Sequence, residues 1–356
     1  MFVVGQFIAR HVKKYPYFLG FHYIDQGSVL KKKQLKWIFR FAIPTVLAVV
    51  VSVILLREID LKEIPETINR IPIHALLIGF VCYSLLVLAK TLRFKTILGL
   101  ESNILQVFPI LTLHTFWGNF LPFRTGDISY VYLMQKRQKV EATQGIASLL
   151  IASIIDLVLL ILLMSATALL LLPKLSGKLS LTVLFLIPSL FGIGLVTLII
   201  LACTAPNVCL LIAEKCLQPL SNLKSRHITW CVEKCRTIVK EITSFRFNFL
   251  FFKIWVYSLL CLAIRFGFQC YLVSEMGVEI PLIEVLFALV FTNVFNLLPI
   301  QTVGNFGTTE FPYVWLLNYF GTPLNIATIT GFSLHLLILL YCIPLGIYGF
   351  FVKRRE

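Results

Sequence analysis

The sequence predicts an all-α, polytopic integral membrane protein, and three observations predict it. Hydrophobic residues make up 58% of the 356-residue chain and charged residues 14%, with a mean hydropathy of +0.88. Soluble domains carry about 25% charged residues because water must wet their outside. Several apolar runs reach the ~17–25 residues that cross a bilayer core as helix. Charge is also segregated along the chain, as it is in membrane proteins whose loops are sorted by side.

Through-spans are expected near 38–57, 73–92, 146–172, 179–204, 250–274 and 324–350, about six in all. Two further apolar stretches are interrupted. Gly118, Pro122 and Gly126 break residues 104–135, and Pro299, Gly304, Gly307 and Pro312 break residues 281–320. Each is expected to form a broken, re-entrant helical hairpin, because proline and glycine interrupt the intrahelical hydrogen-bond ladder.

Basic residues set the orientation. Of the 32 Lys and Arg, 25 fall in residues 1–40, 90–95, 136–139, 215–253 and 353–355. The opposite loops hold Arg57, Lys62, Arg70, Lys174 and Lys178, and collect Glu58, Asp60, Glu63, Glu66, Glu275, Glu279 and Glu284. Both termini are therefore expected in the cytoplasm. Every basic cluster then lies inside only if each hairpin returns to the side it entered from, the first opening to the cytoplasm and the second to the exterior. The expected organisation is a basic cytoplasmic segment over 1–36, one transmembrane domain over 37–350 with a cytoplasmic loop at 205–249, and a short cytoplasmic tail at 351–356. A bacterial plasma (inner) membrane is the expected location. The apolar start lacks a small-residue cleavage site, and no cleaved signal peptide is expected.

In the long loop Ile228, Cys231, Cys235, Ile238, Ile242 and Phe245 recur at helical spacing between Lys234, Arg236, Lys240 and Arg246. That pattern fits a helix lying on anionic lipid at the inner surface, and equally a soluble helix packed on the bundle. The net charge of +15 does not point to nucleic acid, since no zinc finger, RRM-like or helix-turn-helix signature accompanies the basic clusters. Nine cysteines occur without a C-x-x-C pair and read as small core residues. His227, Cys231 and Cys235 at i, i+4 and i+8 are weak evidence for zinc, and no cofactor is expected.

The two interrupted stretches resemble each other. The first runs Asn119, Pro122, Thr125, Gly126, Asp127; the second runs Asn296, Pro299, Thr302, Gly304, Gly307, Glu310. Three through-spans separate them, an odd number, so the copies should enter from opposite faces as inverted-topology repeats. Broken helices expose backbone groups that must be buried in protein or face a watery cavity. In transporters such paired breaks mark the substrate path near the midplane.

Five ionisable residues fall within the apolar regions: Arg124, Asp127, Asp156, Arg265 and Glu310. A charge at a helix centre costs roughly 2.5–3.5 kcal/mol on insertion scales, so these should pair or face water. Arg265 is the better placed to grip a phosphate, through two parallel hydrogen bonds. Lys90 and Arg93, at the end of the second span, read as snorkelling to lipid phosphates. His114 and His335 read as buried histidines satisfied by a neighbour, with proton relay the alternative. No hydrolase elbow, H-E-x-x-H pair, Walker loop or dinucleotide fingerprint appears, which leaves no catalytic residue to name and no internal ATP drive.

At Arg93, Asn119 to Asp127, Asp156 and the segment Leu298-Pro299 through Gly304, Gly307 and Glu310, the chain resembles the transmembrane, flippase-like region of lysylphosphatidylglycerol synthases, over roughly 40–350. The resemblance implies movement of a phospholipid or lipid-linked headgroup across the membrane, in a stand-alone member without the aminoacyl-transferase domain. Arg93, Asn119 and Asn296 join Arg124, Asp127, Asp156, Arg265 and Glu310 as expected substrate contacts. Departures exist too: the family pattern often has Glu where Asp127 stands, a basic residue in place of Tyr130, and a Glu-Arg pair where this chain has Ala152 and Ser153. A lipid other than the family's aminoacylated one is thereby admitted.

The expected function is lipid translocation along a polar path at the two hairpins, by a transporter-like protein rather than an enzyme. Its partners would be a membrane phospholipid or lipid-linked substrate and anionic lipid at the cytoplasmic face; a partner synthase or transferase, or a second copy of the chain, is compatible. The alternative is a membrane-embedded transferase, or its accessory subunit, acting on a lipid-linked sugar or aminoacyl donor with Asp127 as general base. A third reading is a regulatory membrane partner whose loop at 215–253 recruits anionic lipid.

Overall fold

The computed structural model describes residues 50–57, 59–122, 125–171, 249–296 and 302–352, with isolated positions at 46, 215, 232, 233, 236 and 237. The expected span at 179–204, most of the span at 38–57, and most of the amphipathic segment at 228–245 lie outside the described residues. All elements below belong to the unit Pro44–Glu356.

A short helix, α1 (Glu63–Arg70), occupies what the sequence reads as a loop. Its Glu63 and Glu66 in the first turn and Arg70 in the last complement the helix dipole, and Pro72 ends it. Four long helices follow at the expected places: α2 (Ile73–Ile97), α5 (Ala142–Leu170), α6 (Phe249–Ser274) and α9 (Leu324–Phe351). Each is apolar and long enough to cross a membrane. The shortest has 25 residues, about 37 Å at ~1.5 Å per residue, against a hydrocarbon core of ~30 Å.

The two interrupted stretches are pairs of shorter helices. The first comprises α3 (Ile104–Phe120) and α4 (Thr125–Gln138). The second comprises α7 (Leu282–Phe295) and α8 (Glu310–Tyr319), with a short 3-10 turn at Val303–Asn305 in the break. Asn103 caps α3 by accepting a bond from the Leu105 amide at 3.1 Å. Gly126 is required by packing, because a Cβ there would lie 2.7 Å from the Gly118 backbone and from the His114 carbonyl. The second break needs glycine for its backbone, with Gly304 at φ 64° and Gly307 at φ 77°.

These pairs interlock with the long helices: α3 packs on α9 while α7 packs on α5, and α2 lies along α6. The polar economy is that of a membrane bundle. Buried Thr91, Thr292 and Thr328 donate to their own i−4 carbonyls at 2.7–2.8 Å, so that these hydroxyls are satisfied within their own helices. The outward faces are apolar stripes instead, such as Leu77, Val81 and Leu85 on α2, Phe252, Val256 and Leu259 on α6, and Leu340, Ile343, Ile347 and Phe350 on α9, all exposed. Oily stripes on the outside of long helices suit a solvent of acyl chains.

Candidate functional site

The two breaks meet in one place. A cavity of about 210 Å³ is lined from α2 by Lys90, from α3 by Thr115 and Asn119, from α6 by Arg265 and Gln269, and from α7 by Thr292, Asn293 and Asn296; the second break adds Asn305, and α9 adds His335. Asn305 donates from Nδ2 to the Gly118 carbonyl at 3.4 Å and so ties the second break to the first. It sits at φ 56°, a left-handed conformation that asparagine tolerates better than most residues.

The lining lengthens the internal repeat. Thr115 precedes Asn119 by four residues and Thr292 precedes Asn296 by four, so both stretches read Thr-x-x-x-Asn-x-x-Pro, ending at Pro122 and Pro299. Spacing of four puts Thr and Asn on one face of the helix that runs into the break, and all four side chains line the cavity. Asn119 donates from Nδ2 to the Thr115 carbonyl at 2.8 Å, closing the last turn of α3.

Two cations face this space. Arg265 donates from Nη1 to Asn293 Oδ1 at 3.0 Å and has no carboxylate partner among the described residues; Lys90 has neither a hydrogen bond nor an ion pair there. They project from the neighbouring helices α2 and α6, which pack along each other. Thr115 Oγ1, Gln269 Oε1 and Asn305 Oδ1 are buried around the cavity without protein partners. The arrangement offers two positive charges, several amides and unsatisfied oxygens to whatever enters it.

The intramembrane acids are neutralised elsewhere. Arg93 is 3% exposed and ties three helices together, with Nη1 on Asp156 of α5 and, at 3.2 Å, on Ser258 Oγ of α6. His114 Nε2 and Asp127 Oδ1 are 3.0 Å apart. Glu310, 1% exposed, holds His335 Nδ1 at 2.5 Å with one oxygen and accepts from the Gly307 amide at 2.7 Å with the other. That second bond satisfies a backbone donor freed by the break, at the helix start where a carboxylate is favoured.

Of the residues named from the sequence, Asn119, Arg265 and Asn296 line the cavity, whereas Arg93, Asp127, Asp156 and Glu310 are engaged in the pairs just described and do not. Arg124 lies outside the described residues. The expectation that Lys90 and Arg93 snorkel is corrected: Arg93 is enclosed with its counter-ion, and Lys90 faces the cavity. Each histidine meets a neighbouring carboxylate, as expected, although His114 Nδ1 is buried without a partner among the described residues. Sequence reading missed Thr115, Thr292, Asn293, Asn305 and Gln269. The first two carried a signal in the repeated Thr-x-x-x-Asn-x-x-Pro; the others carried none. Tyr130, where the family pattern often has a base, is wholly buried with its hydroxyl 2.9 Å from Ser148 Oγ. Among the described residues no group of three His, Cys, Asp or Glu is placed to hold a metal.

No curated protein and no solved structure matches the chain. The family model of the lysylphosphatidylglycerol synthase transmembrane region matches residues 38–346, from before α1 to the last turns of α9 and across both broken helix pairs. The chain is an integral membrane protein that belongs to this family, which is linked to phospholipid modification.

Proposed function

We propose that the protein is a lipid translocator that passes a phospholipid or lipid-linked headgroup through the cavity shared by the two broken helix pairs. The observation that carries the reading is the convergence of both Thr-x-x-x-Asn segments and two unpaired cations on one cavity inside a bundle of apolar helices. Headgroup passage requires a polar site within hydrocarbon, and cations without carboxylate partners in such a place are costly unless something anionic visits.

In this reading the bundle has about six through-spans and two re-entrant hairpins, one from each face, arranged as inverted repeats over 37–350. Support comes from the shortness of α3, α4, α7 and α8, and from the reciprocal packing of α3 on α9 and α7 on α5. Both termini are cytoplasmic on the distribution of Lys and Arg, an orientation compatible with a bacterial plasma membrane. Arg265, Asn119 and Asn296 contact the headgroup; Arg124 joins them on its place at the first break. Arg93 with Asp156, and Glu310 with His335, hold the lining helices in position, and Asp127 with His114 steadies α3 against α4.

The test is leaflet exchange in proteoliposomes with lipids fluorescent on the acyl chain. Wild type should exchange lipid far faster than protein-free vesicles, and Arg265→Gln should reduce the rate at least tenfold while Lys95→Gln leaves it unchanged. Equal exchange in wild type and Arg265→Gln sinks the assignment. The transferase alternative, which uses Asp127 beside His114, predicts a lipid of altered mass in cells instead of altered sidedness.

A further inference from the structure

We infer that the cavity recognises an anionic headgroup carrying a phosphate and free hydroxyls, and that it disfavours one bearing an amine. The inference rests on the translocation reading and adds the substrate class to it.

Charge comes first. Lys90 and Arg265 enter the cavity lining, and among the described residues no Asp or Glu does. The nearby carboxylates are committed: Asp156 to Arg93, Asp127 to His114, and Glu310 to His335 and the Gly307 amide. A protonated amine would meet two like charges with no counter-ion in a place where water screens poorly, whereas a phosphate would meet two cations. Both side chains line the one cavity from the packed helices α2 and α6, so a phosphate in it can be approached from both.

Hydrogen-bonding capacity comes second. Once a phosphate has engaged Lys90 and Arg265, the cavity still presents Thr115 Oγ1, Gln269 Oε1 and Asn305 Oδ1 as buried oxygens without protein partners, and the amides of Asn119 and Asn296 close by. Buried acceptors call for donors, and hydroxyl groups supply donors without charge. Amides that both donate and accept suit vicinal hydroxyls of a glycerol, inositol or sugar. Size is the third constraint. A space of about 210 Å³ has room for a phosphate with a small hydroxylated group.

The experiment is thermal unfolding of the purified full-length protein in neutral detergent micelles doped with phosphatidylglycerol, phosphatidylinositol, phosphatidylcholine or lysylphosphatidylglycerol, alongside soluble glycerol 3-phosphate. Phosphatidylglycerol and phosphatidylinositol should raise the midpoint in a saturable way, with at least tenfold tighter apparent affinity than the choline or lysyl lipids. Lys90→Gln and Arg265→Gln should each weaken that preference about tenfold or more, with Lys90→Arg retaining it and Lys95→Gln behaving as wild type. Unshifted lipid-free midpoints establish that the variants are folded. A response to glycerol 3-phosphate equal to that of the lipid would replace a lipid headgroup by a soluble phosphate ester as the ligand and overturn the lipid assignment. Lysylphosphatidylglycerol binding as tightly as phosphatidylglycerol, or affinities indifferent to both substitutions, would overturn the inference. Proteoliposome exchange separates the two claims: rapid exchange of the lysyl lipid refutes the headgroup class and leaves translocation standing, and selective binding without exchange does the reverse.

Discussion

Arg93 shows what an intramembrane charge is for when no ligand is near it. Its guanidinium is shut between α5 and α6 with Asp156 and Ser258, so its removal leaves Asp156 without a counter-ion. Truncating one partner of a buried pair costs about 3 kcal/mol, at the lower end of the usual range because the Asp156 side chain is a third exposed. Arg93→Ala should therefore lower the unfolding midpoint markedly. Arg93→Ala combined with Asp156→Asn should recover much of the loss, which a double-mutant cycle in detergent measures; additive losses would exclude direct pairing. At this scale the sequence disclosed which ionisable residues were misplaced in hydrocarbon but not whom they met. Arg93 and Lys90 stand three apart on one helix, yet one is paired and enclosed while the other faces the cavity, because partners from α5 and α6 decide it and those lie 63 and 165 residues away from Arg93.

The broken pairs are the elements on which the cavity depends. α3 and α4 approach so closely at Gly118 and Gly126 that a single methyl group at 126 would meet backbone, which has no rotamer by which to yield. Gly126→Ala should cost about 1–3 kcal/mol of stability, as overpacking does, and should displace Asn119, which follows Gly118 at the end of α3. Thermal unfolding together with lipid exchange would register both; an unchanged midpoint would mean that the helices are free to part. Gly118→Ala is the informative contrast, since open space surrounds a Cβ built there. The existence of the breaks was legible from Gly and Pro, with Pro122 just beyond α3 and Gly304 and Gly307 between α7 and α8, but the exact boundaries were not, since Gly118, Gly126 and Pro312 lie inside their helices. Helix α1 was not, since eight residues with five polar or charged among them, between two apolar runs, read as loop until Ile64 and Thr67 are seen buried.

Among the described residues apolar side chains cover the outward faces as well as filling the interior, unlike the polar outside of a soluble domain. The exposed stripes on α2, α6 and α9 face what must be acyl chains, so a charge placed there acts on insertion and not on the cavity. Val256→Arg should impair membrane integration by roughly 2.5–3.5 kcal/mol on insertion scales, read as reduced integration of α6, whereas Arg265→Gln on the same helix should integrate at least as well as wild type. Equal behaviour of the two would deny the assignment of faces. Composition alone made the membrane class legible, and the charge census proposed the orientation. What composition could not disclose was that the two breaks, separated by more than 170 residues, close on a single space.

That single space is the central claim, and reversible blockage tests it most directly. In a background whose nine cysteines are replaced, Asn119→Cys and Asn296→Cys place one thiol at each break, and Lys95→Cys places one away from the cavity. A bulky disulfide-forming reagent should stop lipid exchange through either break position and leave the Lys95 position active, and a reductant should restore the rate. Exchange that continues with Asn119→Cys and Asn296→Cys fully modified would contradict a path through the shared cavity.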